Sequence, residues 1–141
     1  MVIYAPAYTE PWGPQSPDTT GIGASESQIV ELARWLSGRG LRVTVYGAVP
    51  VPEVESSVIW RHAEDFDHTR ACDLLIAHRA PWIAHRGDLG CKRLYVWFHD
   101  QPETHPHAAF LGDARSRVTR YVTLTETMAR GYQEVHGLTP A

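Results

Sequence analysis

Two polar pairs and one glycine turn hold the groups of this chain best suited to chemistry. His78-Arg79 closes DLLIA, a run apolar in its middle, and His99-Asp100 closes LYVWF. The turn Gly21-Ile22-Gly23-Ala24 stands just before an amphipathic stretch. A histidine leaving a buried strand can share a hydrogen bond with a ligand hydroxyl or phosphate, and its charge responds to the site. It can equally just end the strand. An arginine offers a planar fork to phosphate or carboxylate, or a partner for a surface ion pair. Glycines let backbone N–H groups approach an anion, and a helix dipole then favours it. A tight turn needing positive φ explains the same GxG. Thr125-Glu126 reads most simply as the cap of a last helix. Tyr8 and Trp12 either flank a ligand as flat walls or anchor their loop.

Other chemistries fit less well. His99, Asp100, His105 and His107 form HDxxxxHxH, whose side chains suit zinc but whose spacing matches no common ligand pattern; no metal is expected. A dinucleotide site wants GxGxxG close after the first strand and a carboxylate ending the second. Here Glu26 replaces the third glycine, and the second strand ends in Tyr46-Gly47. The chain lacks a P-loop, HExxH and the GxSxG of a hydrolase.

The elements that must position these groups follow from apolar spacing. Residues 2–5 read as a first strand. Residues 6–20, with Pro6, Pro11, Pro14 and Pro17, read as a long loop that excludes helix. Ile29, Leu32, Ala33 and Leu36 make one helical stripe, with Ser25 and Gln28 as a capping box and Gly38 and Gly40 as the stop. Strands are expected over 41–46, 57–60, 73–77, 94–98 and 121–124, with a proline-marked loop after the second. Shorter helices are expected over 63–71, 81–86 and part of 106–117. A last helix over 126–136 should turn Met128, Tyr132 and Val135 to one side. Continuous apolar strands imply burial on both faces. The pattern predicts a single α/β domain over 1–141: a Rossmann-like three-layer α/β/α sandwich with a mainly parallel sheet of about six strands. Such sheets bind ligands beyond the carboxyl ends of their strands. The two polar pairs, Thr125-Glu126 and the glycine turn are therefore expected along one rim.

Composition narrows the partners. With 141 residues and a net charge of −3, the chain is not a general polyanion binder, and nothing interleaves basic and aromatic residues as a nucleic-acid platform does. The two cysteines, Cys72 and Cys91, are too few for a disulfide framework. No segment reads as a signal peptide or a membrane span, so the default compartment is the cytoplasm.

GIGASE, then LARWLSGRG and LRVTVYG, resembles the N-terminal domain of GT-B glycosyltransferases, family 4 in particular. That family carries a GGxE-like turn and a helix of the form LAxxLxxRGHxVxVY; here Gly23-Ala24 replaces the paired glycines and Leu41 the histidine. DLLIAHR, LYVWFHD and RYVTLTETMARGYQEVHG continue the likeness, with Thr125-Glu126 in place of Ser-Glu. The resemblance implies retaining transfer of a sugar from a nucleotide-sugar donor to an acceptor, with no other cofactor. It implies that Gly21, Ile22, Gly23 and Ala24 face the donor diphosphate and sugar, and that His99 contacts the donor sugar as the catalytic-site histidine. Tyr8, Trp12, His78, Arg79, Asp100, Thr125 and Glu126 would line the cleft or the acceptor site. It further implies a C-terminal donor-binding domain with the E-x7-E pair, in the same or another chain, without which this part is inactive. An exposed docking strip could also pair two copies. Two alternatives stay open: a non-catalytic carbohydrate- or anion-binding module on the same fold, and a nucleotide-dependent oxidoreductase.

Overall fold

Ile3, Val43, Val45, Val58 and Trp60 alternate along three neighbouring strands, and all are buried. They open the first of two compact units, Met1–Asp67 and His68–Ala141. The computed structural model describes residues 1–6, 10–102 and 106–138. The fold is Rossmann-like α/β, with six strands in the order β3-β2-β1-β4-β5-β6, the order of two wound halves.

In the first unit, β1 (Val2–Tyr4) pairs parallel with β2 (Val43–Glu55), Val2 opposite Thr44. β2 pairs parallel with β3 (Val58–His62), Val43 opposite Val58. The expected strand over 41–46 thus starts later and runs much further. Past Ala48 the register reverses: Glu53 faces Trp60 and Glu55 faces Val58. That is the sense of a hairpin, and Ser56 and Ser57, at φ 50° and 64°, make its two-residue turn. Pro50 and Pro52 sit on the exposed outer arm, where a strand tolerates a missing donor.

The proline-rich segment is not all loop. Ser16–Thr19 forms a short helix, α1, with its proline in the first turn, where the absent N–H costs nothing. Arg34 holds it in place, donating to Pro14 O at 2.9 Å and to Asp18 at 3.2 Å, while also reaching Glu55 at 3.3 Å. Trp12 is 1% exposed and meets Trp60 edge-on at 6.1 Å. It is a loop anchor in the core, not a cleft wall. Tyr8 lies outside the described residues.

The main helix, α2 (Ala24–Ser37), buries Ile29, Val30 and Ala33, while Leu32 and Leu36 are half-buried. The expected capping box does not form. The N-cap is Gly23, without a side-chain cap, and Ser25 falls inside the first turn. The expected helix over 63–71 shortens to one 3-10 turn, Ala63–Asp65. Those residues carry no apolar stripe to dock a helix, and Phe66 leaves in extended form to stack on Tyr4 at 4.3 Å.

In the second unit, β4 (Leu75–His78) pairs parallel with β5 (Leu94–Trp97), and β5 with β6 (Arg120–Val122). The connections are 3-10 turns, Pro81–His85 and Pro106–Arg117, the latter broken at Gly112. The last helix, α3 (Glu126–His136), matches its expected bounds. Thr125 accepts from Met128 N at 3.1 Å, and Gly137 ends the helix at φ 64°. Met128 and Tyr132 are buried, but Val135 is 50% exposed, so the inward face is narrower than expected.

Trp12 leaves no room at Gly47: an added Cβ would lie 2.6 Å from its ring. Gly47→Ala should therefore lose about 1–3 kcal/mol, read as a lower urea midpoint with an unchanged slope.

Candidate functional site

Register brings the two polar pairs of the second unit together. β4 and β5 run in step, so His78 stands opposite Trp97. Arg79 N donates to Trp97 O at 2.9 Å, which carries the ladder one residue past the strand. Arg79 then takes φ 53°, a left-handed conformation that non-glycine residues adopt only when their surroundings hold them there. The hold is visible. Arg79 Nε donates to Asp100 Oδ2 at 2.9 Å and Nη2 to Oδ1 at 3.3 Å, a two-pronged pair.

Asp100 is fixed from its other side by α3. Tyr132 Oη donates to Asp100 O at 2.8 Å, and its ring stacks on Phe98 at 4.4 Å. Further along the loop, His136 Nε2 lies 3.0 Å from Pro102 O. Thr125 and Glu126 are exposed at the start of α3. Thr125 does the capping work read from its sequence position.

His99 is enclosed between these supports. Its ring lies 4.4 Å from His78 and 4.9 Å from Trp97, centre to centre. His78 is fully buried and meets Trp97 edge-on at 5.0 Å. Burial, with His99 and Arg79 adding to it, pushes His78 down to about 2. Burial also lowers His99, with Asp100 opposing and Arg79 reinforcing the shift. Both imidazoles are thus neutral at physiological pH. Among the described residues, His99 Nε2 and Trp97 Nε1 are buried without a hydrogen-bond partner. A buried polar atom left so costs about 1–3 kcal/mol. The arrangement gathers uncharged, directional hydrogen-bonding groups at and just past the ends of β4 and β5.

No family model, curated protein or solved structure matches this chain.

The first unit presents its own candidates. Gly21 takes φ 70°, and Gly23, Ala24 and the exposed side of the turn lead into α2. Ile22 is half-buried. The Glu26 carboxylate folds against Gly23, where an added Cβ would collide with it. A carboxylate at a helix N-terminus is favourable, and an incoming phosphate would have to displace it. At the carboxyl ends of β1 and β3 lies a cavity of about 470 Å³, lined among others by Tyr4, Pro50, His62 and Glu64. That volume falls within the range of small-molecule sites. The sequence pattern gives His62 no partner, so this cavity was not legible there. The missed members of the second-unit site are Trp97 and Tyr132. A buried tyrosine needs a partner for its hydroxyl, which was the available hint for Tyr132.

Among the described residues no group of three or more His, Cys, Asp or Glu is placed to hold a metal ion; His105 of the HDxxxxHxH pattern lies outside them. Among the described residues no helix is long and apolar enough to cross a membrane.

Keeping His78 neutral has a pH cost with a definite sign. Its folded pKa lies below its unfolded value, so its contribution is complete above about pH 6.5 and is lost as pH falls below that. Unfolding free energy should drop by about 2 kcal/mol between pH 6.5 and pH 5. His78→Gln should flatten this acid limb in urea titrations; an equally steep limb in the variant would locate the proton uptake elsewhere.

Proposed function

We propose that this chain is the N-terminal, acceptor-side domain of a retaining glycosyltransferase of GT-B, family-4-like type. It would act with a donor-binding domain to move a sugar from a nucleotide-sugar to an acceptor. The observation that carries this reading is the neutral His99, beyond the carboxyl end of β5, next to the Asp100 that pairs with Arg79 and packed on His78. The resemblance puts the sugar-contacting histidine at that position.

The chemistry gives the neutrality a purpose. Glycosyl transfer passes through a transition state with positive charge on the sugar ring. An imidazolium against that ring would repel the charge as it forms. A neutral imidazole orients a sugar hydroxyl without that penalty. The departing diphosphate gains negative charge instead, and backbone N–H groups at residues 21–24, at the start of α2, are the donors suited to oppose it.

A second reading has its own support. Glu26 already offers a carboxylate at Gly23, as would suit a module that binds neutral carbohydrate and never a diphosphate. Turnover separates the two.

The test uses the protein joined to its donor-binding domain and a panel of nucleotide-sugars. Transfer should be detected with at least one donor, and His99→Ala should lower kcat by about 10²-fold or more with an unchanged melting temperature. Unaltered transfer in that variant would remove His99 from the site. Sugar binding with no transfer from any donor would favour the module.

A further inference from the structure

The far ends of β4 and β5 carry a second pair of reactive groups. Cys72 and Cys91 are bridge partners just before the two strands: Cys72 N donates to Gly90 O at 3.2 Å, and Lys92 N to Cys72 O at 3.0 Å. Both are free thiols and half-buried. Paired strand residues direct their side chains to the same face, and neighbouring strands lie about 4.8 Å apart. That spacing falls within the Cα separations a disulfide spans, about 4.4–6.8 Å.

Cys91 also lines a cavity of about 260 Å³ whose wall carries Arg86, Lys92 and Arg117. Arg117 is anchored by donating to Arg86 O at 2.6 Å. Lys92 lies 2.6 Å from Asp73, in a pair that is largely exposed. Three cations around one thiol attract an anionic reagent.

The geometry points to a redox modification site: a reversible disulfide between Cys72 and Cys91, formed by exchange with an anionic low-molecular-weight disulfide that enters the basic cavity. The Cys91 thiolate attacks one sulfur of the reagent, whose S–S bond breaks. The first half leaves as a thiolate and takes up the proton Cys91 released. The Cys72 thiolate then attacks the Cys91 sulfur, and the second half leaves in the same way. Two protein thiols are oxidised, and one reagent disulfide is reduced to two thiols. Burial pushes both protein thiols up from their usual range. The cavity's cations, rather than an acidic thiol, therefore supply the selectivity. The bond would clasp the amino ends of the two strands whose carboxyl ends carry His78 and His99.

The experiment treats dilute protein with glutathione disulfide and maps the unreduced digest by mass spectrometry. A linked Cys72–Cys91 peptide in monomeric protein, reversed by dithiothreitol, is expected. Cys72→Ser should instead retain a glutathione adduct on Cys91. Arg86→Glu should slow oxidation by glutathione disulfide about tenfold and leave the rate with neutral hydroxyethyl disulfide unchanged. Two thiols still free after prolonged oxidation, or disulfides only between molecules, would overturn the proposal. Equal slowing with both reagents would overturn the role of the cavity.

Discussion

The second unit depends on a single register. Because β4 and β5 run parallel and in step, with His78 opposite Trp97, the segments just past the two strands leave at the same edge. Arg79 and Asp100 can then close a two-pronged ion pair. That pair is partly exposed, so as a source of stability it is modest. Its larger effect is positional. It holds Arg79 in a backbone state the residue would otherwise avoid. It also sets where the next residue back, His99, can place its ring.

Burial then decides the chemistry of that ring. With His78 fully enclosed beneath it and Trp97 alongside, His99 loses the hydration that would support a positive charge. A neutral imidazole is a hydrogen-bonding group of fixed direction, able to meet hydroxyls without imposing a field. The same enclosure makes the unit sensitive to acid. The device that would suit sugar chemistry and the acid weakness are two consequences of one packing choice.

Much of this was legible in the sequence. LLIA within DLLIA, and LYVWF, are continuous apolar runs, each followed at once by a polar pair. Parallel buried strands must deliver such pairs to one edge. The helix over about 126–136 was readable at both ends, because Thr125 and Gly137 are strong end signals. The left-handed Arg79 was not legible, since the pair with Asp100 that holds it forms only once β4 and β5 lie side by side. Nor was the hairpin at Ser56-Ser57, where the usual Asn-Gly signal is missing. Trp12 was misplaced among cleft residues because a tryptophan in a proline-rich stretch gives no sign of which side it buries. The cavity near His62 depends on three chain segments meeting, which no local pattern encodes.

The most direct test is the imidazole nitrogen spectrum of His99, followed by NMR across about pH 5 to 8. The expected result is a ring that titrates below the ordinary histidine value and whose resonance moves when a nucleotide-sugar of the proposed class is added. A ring that titrates at the ordinary histidine value, unmoved by any nucleotide-sugar offered, would contradict it.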